Sequence, residues 1–142
     1  MQPVAILILA YNKIEHTRLC LRGLLQSSYP RLVFQLVDNG STEPLSDLFA
    51  EFASQAKTRG WETDILRLPT PAGAIGGRNA GFERLLQRTD LRAIALCDND
   101  VMPRHRSWVE ILAAKLEGHP KRGIVGPKLV YPTPPHLIQC AG

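Results

Sequence analysis

The sequence predicts an α/β fold: a mostly parallel sheet with helices on both faces. Apolar runs such as residues 4–9 are uninterrupted, as expected of strands that are buried on both sides. Segments with helical spacing alternate with these runs from one end of the chain to the other. Because a strand-helix-strand order joins neighbouring strands by crossover connections, the strands are expected to run parallel.

Residues 4–9, 32–37, 63–68 and 93–97 are predicted to be the first four strands. The first helix is expected to begin near Asn12, because Asn12 and Glu15 have the spacing of a capping pair. Pro30 stops that element. The clearest helical period in the chain is closed by Gly60 and is formed by Leu45, Leu48, Phe49, Phe52, Ala53 and Ala56.

The second half of the chain has a less regular pattern. A glycine-rich loop is expected after the third strand, and the helix that follows it should turn Phe82, Leu85 and Leu86 inward. A fourth helix is indicated by the spacing of Trp108, Ile111, Leu112 and Leu116. A fifth strand, interrupted by Gly126 and Pro127, is expected near residues 124–130.

Length and composition indicate one domain, residues 1–142, with the apolar and charged content of an ordinary globular protein. The formal charge of +4 comes from dispersed basic residues, which disfavours a nucleic-acid partner. That charge would suit a polyphosphate ligand or an anionic membrane surface. Three cysteines without a CxxC pair predict neither a zinc site nor a redox pair, and favour a cytoplasmic setting. The apolar start is predicted to be a strand and not a signal peptide.

Polar residues cluster where the predicted strands end, or in the loops that follow. In parallel sheets, ligands bind outside the carboxyl ends of the strands. We therefore expect one crevice formed by these residues: Asn12, Asp38, Asn39, Ser41, Arg78, Asp98 and Asp100.

Asp98-Asn99-Asp100 is the sharpest of these features, because two carboxylates directly follow an apolar strand. Such hard oxygen ligands suit Mg²⁺ or Mn²⁺, which commonly binds one or two carboxylates together with substrate phosphates. The chemistry indicated is neutralisation of a diphosphate leaving group. Taken alone, the same residues would also be explained as a turn that caps the next helix.

Two other segments are ambiguous in the same way. Residues 38–41 fit an Asx-type turn as well as a site that binds a base or a ribose. The glycines of residues 73–81 fit close packing of a helix on a strand as well as close approach to a phosphate, where Arg78 could bind. The segment is neither G-x-G-x-x-G nor a P-loop.

Taken in order, these segments resemble the family 2 glycosyltransferases, whose GT-A fold has a Rossmann-like nucleotide-binding half. Residues 8–13 are similar to the opening strand with its Y-N-[RK] signature, and residues 37–42 to V-D-N-G-S-T-D. Residues 68–81 parallel the segment L-P-x-N-x-G-x-x-G-G-x-N-x-G, and residues 96–101 parallel the DxD strand. Residues 138–142 are similar to a piece that precedes the acceptor region.

On the base side, the resemblance implies that Ala10 and Tyr11 line the base pocket and that Asp38 hydrogen-bonds the base. Two departures occur here: Pro71 stands where the family usually has Asn, and Glu43 replaces the usual Asp. The first puts a loop hydrogen bond in doubt. The full set of implied nucleotide-sugar-binding residues is Ala10, Tyr11, Asp38, Asn39, Gly73, Arg78, Asp98 and Asn99.

On the metal side, the resemblance implies that Arg78 contacts the nucleotide and that Asp98 contacts the ribose or the metal. Asp100 would hold the metal-bound diphosphate, so the implied metal ligands for Mn²⁺ or Mg²⁺ are Asp98 and Asp100. The implied donor is a UDP-, dTDP- or GDP-linked sugar, and the acceptor is a saccharide or a lipid-linked hydroxyl. A cytoplasmic location, with peripheral contact at the inner face of the membrane, is expected.

Inverting members of this family carry a general base that deprotonates the acceptor hydroxyl. That region is expected beyond Gly142, which predicts a chain that stops before the acceptor-binding half. No catalytic base is therefore assigned. A non-catalytic nucleotide-binding module is an open alternative. So is a haloacid-dehalogenase-like phosphohydrolase, in which Asp98 would be the nucleophile.

Overall fold

A four-stranded parallel sheet forms the centre of the molecule. The computed structural model describes residues 1–141, and Gly142, the last residue of the predicted domain, lies outside the described residues. The strands are β1 (Val4–Ala10), β2 (Leu32–Asp38), β3 (Glu62–Arg67) and β4 (Ala93–Asp98), in the order β3-β2-β1-β4. The helices are α1 (Ile14–Leu24), α2 (Leu45–Thr58), α3 (Gly73–Leu85) and α4 (Trp108–Glu117). The predicted fold class is confirmed.

The helices cover both faces of the sheet. On one face, Ile6 and Ile8 of β1 and Phe34 of β2 pack against residues of α1, α2 and α4. On the other face, Leu7 packs with Leu85 of α3. This arrangement explains why β1 is continuously apolar and why β2 is apolar except for the buried Gln35 and Asp38, since each strand buries both of its faces.

The register of the parallel strands brings their carboxyl ends level with one another. Ala10 at the end of β1 pairs with Asp38 of β2, and Leu9 pairs with Asp98 of β4. Asp38 in turn pairs with Arg67 at the end of β3. The polar residues that follow all four strands therefore meet at one edge of the sheet, as the sequence predicts.

The start of α1 differs from the prediction. Asn12 and Lys13 both have left-handed backbone conformations, with φ of 52° and 55°, and α1 begins only at Ile14. The carboxylate of Glu43 accepts hydrogen bonds from the backbone N–H groups of Lys13 and Ile14 at 3.0 and 2.8 Å. The predicted Asn12–Glu15 capping pair is therefore wrong, because the cap comes from a distant segment of the chain.

The glycine-rich segment is not a loop but the beginning of α3, which starts at Gly73. A Cβ at Gly77 would come within 2.5 Å of Leu9 Cδ1, so this glycine lets the helix lie directly on β1. The prediction that Leu86 turns inward is wrong. Its side chain is exposed because the buried face of α3 runs through Gly77, Gly81 and Leu85, and Leu86 lies one position further round the helix.

The expected fifth strand does not join the parallel sheet. β5 (Lys128–Val130) instead pairs antiparallel with β6 (Ile138–Ala141) as a separate two-stranded sheet. A hydrogen bond from Tyr131 N to Leu137 O closes this hairpin. Among the helices of residues 1–141, none is long and apolar enough to cross a membrane.

Substitution of Gly81 tests the close contact of α3 with the sheet. A Cβ at this position would lie 2.5 Å from Leu7 Cδ1 and 2.9 Å from Val37 Cγ2, both in the packed interior. We expect Gly81→Ala to lower the free energy of unfolding by about 1–3 kcal/mol, because overpacking outweighs the better helix propensity of alanine. Gly123→Ala, which meets no atom within 4 Å, serves as the control and should stay within about 0.5 kcal/mol in urea denaturation. Equal stability of the two variants would contradict this packing.

Candidate functional site

A cleft of about 430 Å³ opens at the carboxyl edge of the sheet. It lies between the loop after β1, the first turns of α3 and the end of β4, and its lining residues are Leu9, Tyr11, Lys13, Asn39, Pro71, Gly73, Ala74, Arg78, Asp98, Asn99 and Asp100. A wider depression of about 660 Å³ lies between α2 and the start of β3, where Lys57 and Glu62 are its ionisable groups. Only the cleft gathers the chemistry-bearing residues that follow the strands.

Arg78 and Asp98 form an ion pair across the cleft. The guanidinium Nη2 of Arg78 lies 2.5 Å from Asp98 Oδ1, and both side chains remain partly exposed. Arg78 follows Gly77, so the close approach of α3 to β1 brings the guanidinium to the end of β4. One oxygen of Asp98 is therefore occupied by a cation that belongs to the protein itself.

The other two residues of the motif have different surroundings. Asn99 donates a hydrogen bond from Nδ2 to Thr17 Oγ1 at 2.8 Å. Asp100 is exposed, and within residues 1–141 its carboxylate has no hydrogen bond or ion pair. Asp100 is thus the carboxylate most available to a ligand. Lys13 and Arg78 place two cations beside the two carboxylates.

Two thiols hold the backbone at the end of β4. Cys20 of α1 and Cys97 of β4 both donate to the carbonyl oxygen of Asp98, at 3.6 and 3.5 Å. The contact with Cys97 and burial raise the pKa of the Cys20 thiol well above its ordinary value. The thiol therefore stays protonated and remains a donor, which fits a structural role under the site.

Asp38 lies behind the wall of the cleft. Its Oδ1 accepts a hydrogen bond from Ser41 N at 2.9 Å, and Arg67 Nε lies 3.6 Å from Oδ2. The side chain is almost fully buried, and the Asx-type turn expected as the alternative explanation is present. Ala10 is also buried, and its carbonyl accepts a hydrogen bond from Asn39 N. Neither Ala10 nor Asp38 lines the cleft.

Asn39 fixes the loop that leads into α3. Its Oδ1 accepts a hydrogen bond from Ala72 N at 3.0 Å, and its Nδ2 donates to Gly73 O at 3.1 Å. Pro71, which cannot donate a backbone hydrogen bond, directly precedes these contacts. The amide of Asn39 therefore lines the cleft while its polar atoms already have partners in the protein.

Of the predicted binding residues, seven line the cleft: Tyr11, Asn39, Gly73, Arg78, Asp98, Asn99 and Asp100. Three further polar or charged residues of the site were not predicted. Lys13 lines the cleft. Its position directly after Tyr11-Asn12, as the last residue of the Y-N-[RK] signature, is the sequence feature that indicates it. Thr17 and Glu43 support the site through hydrogen bonds to residues that are 82 and about 30 positions away, which no local pattern indicates.

Comparison with a family model described as "Glycosyl transferase family 2" gives a match over residues 5–138, nearly the whole chain. The chain belongs to glycosyltransferase family 2. This membership, over residues 5–138, removes the phosphohydrolase alternative. No curated protein sequence matches the chain.

Solved structures with the same fold include one from S. aureus and one from Pyrobaculum calidifontis. TarS 1–349 from S. aureus, in complex with UDP, has a TM-score of 0.66 at 17% identity, over 91% of this chain and 39% of that one. The mannosyltransferase PcManGT from Pyrobaculum calidifontis, in complex with GDP-Man and Mn²⁺, has a TM-score of 0.65 at 18% identity, over 89% and 33%. The family 2 chain thus spans less than half of either structure, and it shares their GT-A fold.

The cap on α1 can be tested at Glu43. In Glu43→Gln the side chain keeps one acceptor oxygen, so Lys13 N or Ile14 N loses its partner and the helix loses a favourable negative charge. We expect the free energy of unfolding to fall by about 1 kcal/mol in urea denaturation. Glu83→Gln, at an exposed position on α3, is the control and should be neutral. If the two variants unfold alike, Glu43 is not the cap.

Proposed function

We propose that this chain is the donor-binding part of a glycosyltransferase, which binds a nucleoside diphosphate sugar with Mg²⁺ or Mn²⁺ in the cleft. The observation that carries the proposal is the pairing of charges in that cleft. Asp98 and Asp100 supply carboxylates for a cation, while Lys13 and Arg78 supply cations for phosphates. A metal-diphosphate complex carries both kinds of charge and matches both sets of residues.

The donor set fits a metal that is shared with its substrate. Mg²⁺ and Mn²⁺ prefer carboxylate, phosphate and water oxygens, and commonly take only one or two ligands from the protein. Within residues 1–141 no group of three or more His, Cys, Asp or Glu side chains could form a complete metal site. Asp100, with Asp98 beside it, would hold the ion, and diphosphate oxygens would complete its shell. When bound, the ion would neutralise charge on the departing diphosphate.

The amino end of α3 supports binding of the phosphates. Its first turn contains no acidic residue and no side-chain cap, so its backbone N–H groups and the positive end of its dipole are available. Gly73 and Ala74, the first residues of that turn, line the cleft. α1 differs, since the Glu43 carboxylate already occupies its amino end. α3 is therefore the helix that can receive an anion.

The base would lie on the side of the cleft formed by the loop after β1. Tyr11 is half exposed at this position and offers an aromatic face for the base. Asp38, the residue expected to hydrogen-bond the base, is buried, and its carboxylate already contacts Ser41 N and Arg67 Nε. A hydrogen bond between Asp38 and the base is part of the proposed binding mode.

The proposed reaction is transfer of the sugar to a hydroxyl of a saccharide or lipid-linked acceptor, with inversion at the anomeric carbon. In this scheme the residues of the cleft bind the donor, orient it and stabilise the leaving group. A general base that deprotonates the acceptor is not assigned among them. A cytoplasmic site of action, at the inner face of the membrane, belongs to the same proposal.

Nucleotide binding tests the proposal directly. We expect UDP, dTDP or GDP to bind more tightly when Mn²⁺ or Mg²⁺ is present, as measured by calorimetry and thermal shift. Asp100→Asn should weaken the metal-dependent binding about tenfold or more, because it removes the free carboxylate. Asp47→Asn, an exposed substitution on α2, is the matched control and should bind like the unmodified protein.

A third variant separates the phosphate contact from the metal contact. Arg78→Gln should weaken nucleotide binding with and without metal, because Arg78 is assigned to the phosphates and not to the ion. A folded protein that binds none of the three nucleotides under any metal condition would overturn the proposed function. Full metal dependence in Asp100→Asn would overturn the assignment of the metal ligand.

A further inference from the structure

Thr17 carries a polar group in an otherwise apolar part of the molecule. It lies in the first turn of α1, is completely buried, and shares the buried face of that helix with Cys20, Leu21 and Leu24. A buried hydroxyl is unfavourable unless it is hydrogen-bonded. Here the hydroxyl has two partners: it donates to Lys13 O at 3.1 Å and accepts from Asn99 Nδ2 at 2.8 Å.

The chemistry of these groups fixes the direction of both hydrogen bonds. A threonine hydroxyl has a single proton, and a carbonyl oxygen can only accept, so the proton is directed to Lys13 O. Asn99 must then approach with its amide nitrogen. Its Oδ1 has no hydrogen-bond partner within residues 1–141, while Asn99 itself lines the cleft. The contact with Thr17 thus leaves an acceptor oxygen of Asn99 for a ligand.

The contact also bears on where Asp100 lies. Asp98 is held independently, by the Arg78 ion pair and by two thiols at its carbonyl. Asp100 has no such contact of its own. On one side of it Cys20 of α1 holds the Asp98 carbonyl, and on the other Met102 packs beside Gly23 of α1. The Asn99 side chain adds the side-chain hydrogen bond to α1 that is nearest to Asp100. The Thr17 hydroxyl also donates to Lys13 O. Thr17 therefore connects the turn, through Asn99, to the loop after β1.

We propose that Thr17 is a positioning residue for the metal-diphosphate site: through Asn99 it holds the Asp98–Asp100 turn in register with the loop that carries Tyr11 and Lys13. This proposal rests on the proposed function. Small displacements of ligand groups cost affinity steeply, since binding geometry must be in place before the ligand arrives. Thr17 itself touches neither metal nor nucleotide.

The test compares Thr17→Val, which keeps the shape and removes the hydroxyl, with Thr17→Ser, which keeps the hydroxyl. The probe is UDP or GDP, whichever the unmodified protein binds more tightly, titrated with and without Mn²⁺. We expect Thr17→Val to lower the affinity about fivefold with Mn²⁺ and less than about twofold without it. Thr17→Ser should bind within about twofold of the unmodified protein under both conditions, even where loss of the methyl group lowers its Tm.

If Thr17 only stabilised the fold, its variants would show a different pattern of nucleotide affinities. In that case the affinity would fall equally with and without Mn²⁺, or would follow the Tm of each variant, and the proposal would be overturned. Unchanged Mn²⁺-dependent affinity in Thr17→Val would also overturn it while leaving the proposed function intact. If the unmodified protein binds no nucleotide, the proposed function and this proposal fail together.

A ligand-free measurement checks the geometry itself. In the unmodified protein, NMR should show slowed exchange with solvent for one Asn99 side-chain amide proton, because Thr17 Oγ1 accepts it. The slowing should disappear in Thr17→Val and persist in Thr17→Ser. Rapid exchange in all three proteins would contradict the anchoring of Asn99.

Discussion

The candidate site depends on the register of β1 with its two neighbours. Ala10 lies opposite Asp38 and Leu9 lies opposite Asp98, so a strand that slipped by one residue would carry its polar end away from the cleft. Burial of both faces of β1 holds that register, because a slip would also exchange the side chains that face the two cores. The apolar interior and the charged cleft are therefore consequences of one pairing arrangement.

At the carboxyl edge of the sheet, contacts between distant segments give the amino ends of α1 and α3 different roles. The Glu43 carboxylate satisfies the amino end of α1, so that end stabilises the fold. The amino end of α3 has no cap and faces the cleft beside Arg78. Gly77 favours this arrangement, because a Cβ at that position would come within 2.5 Å of Leu9 Cδ1. The glycines thus serve close packing and, through that packing, place a helix end where an anion can bind.

Much of this architecture follows from local sequence. Largely apolar runs predict β1, β2 and β4, and the Asp98 motif at the end of β4 predicts where a cation could bind. The features that the local sequence does not predict arise from contacts between residues far apart in the chain. Glu43 and not Asn12 caps α1, and Thr17 orients Asn99 across 82 positions. Residues 124–130 have a strand-like composition, but the hairpin of β5 and β6 withdraws them from the sheet. The roles assigned to Ala10 and Asp38 came from family resemblance and stay predictions.

The central claim is that one cleft binds the metal and the diphosphate together. Paramagnetic broadening of backbone amide signals by Mn²⁺, in the presence of the nucleoside diphosphate and with Mg²⁺ as the diamagnetic reference, locates the ion directly in a chain of 15.7 kDa. We expect broadening that is centred on residues 98–100 and extends to the first turns of α3. Broadening centred on the depression near Lys57 and Glu62, or spread evenly over surface carboxylates, would contradict it.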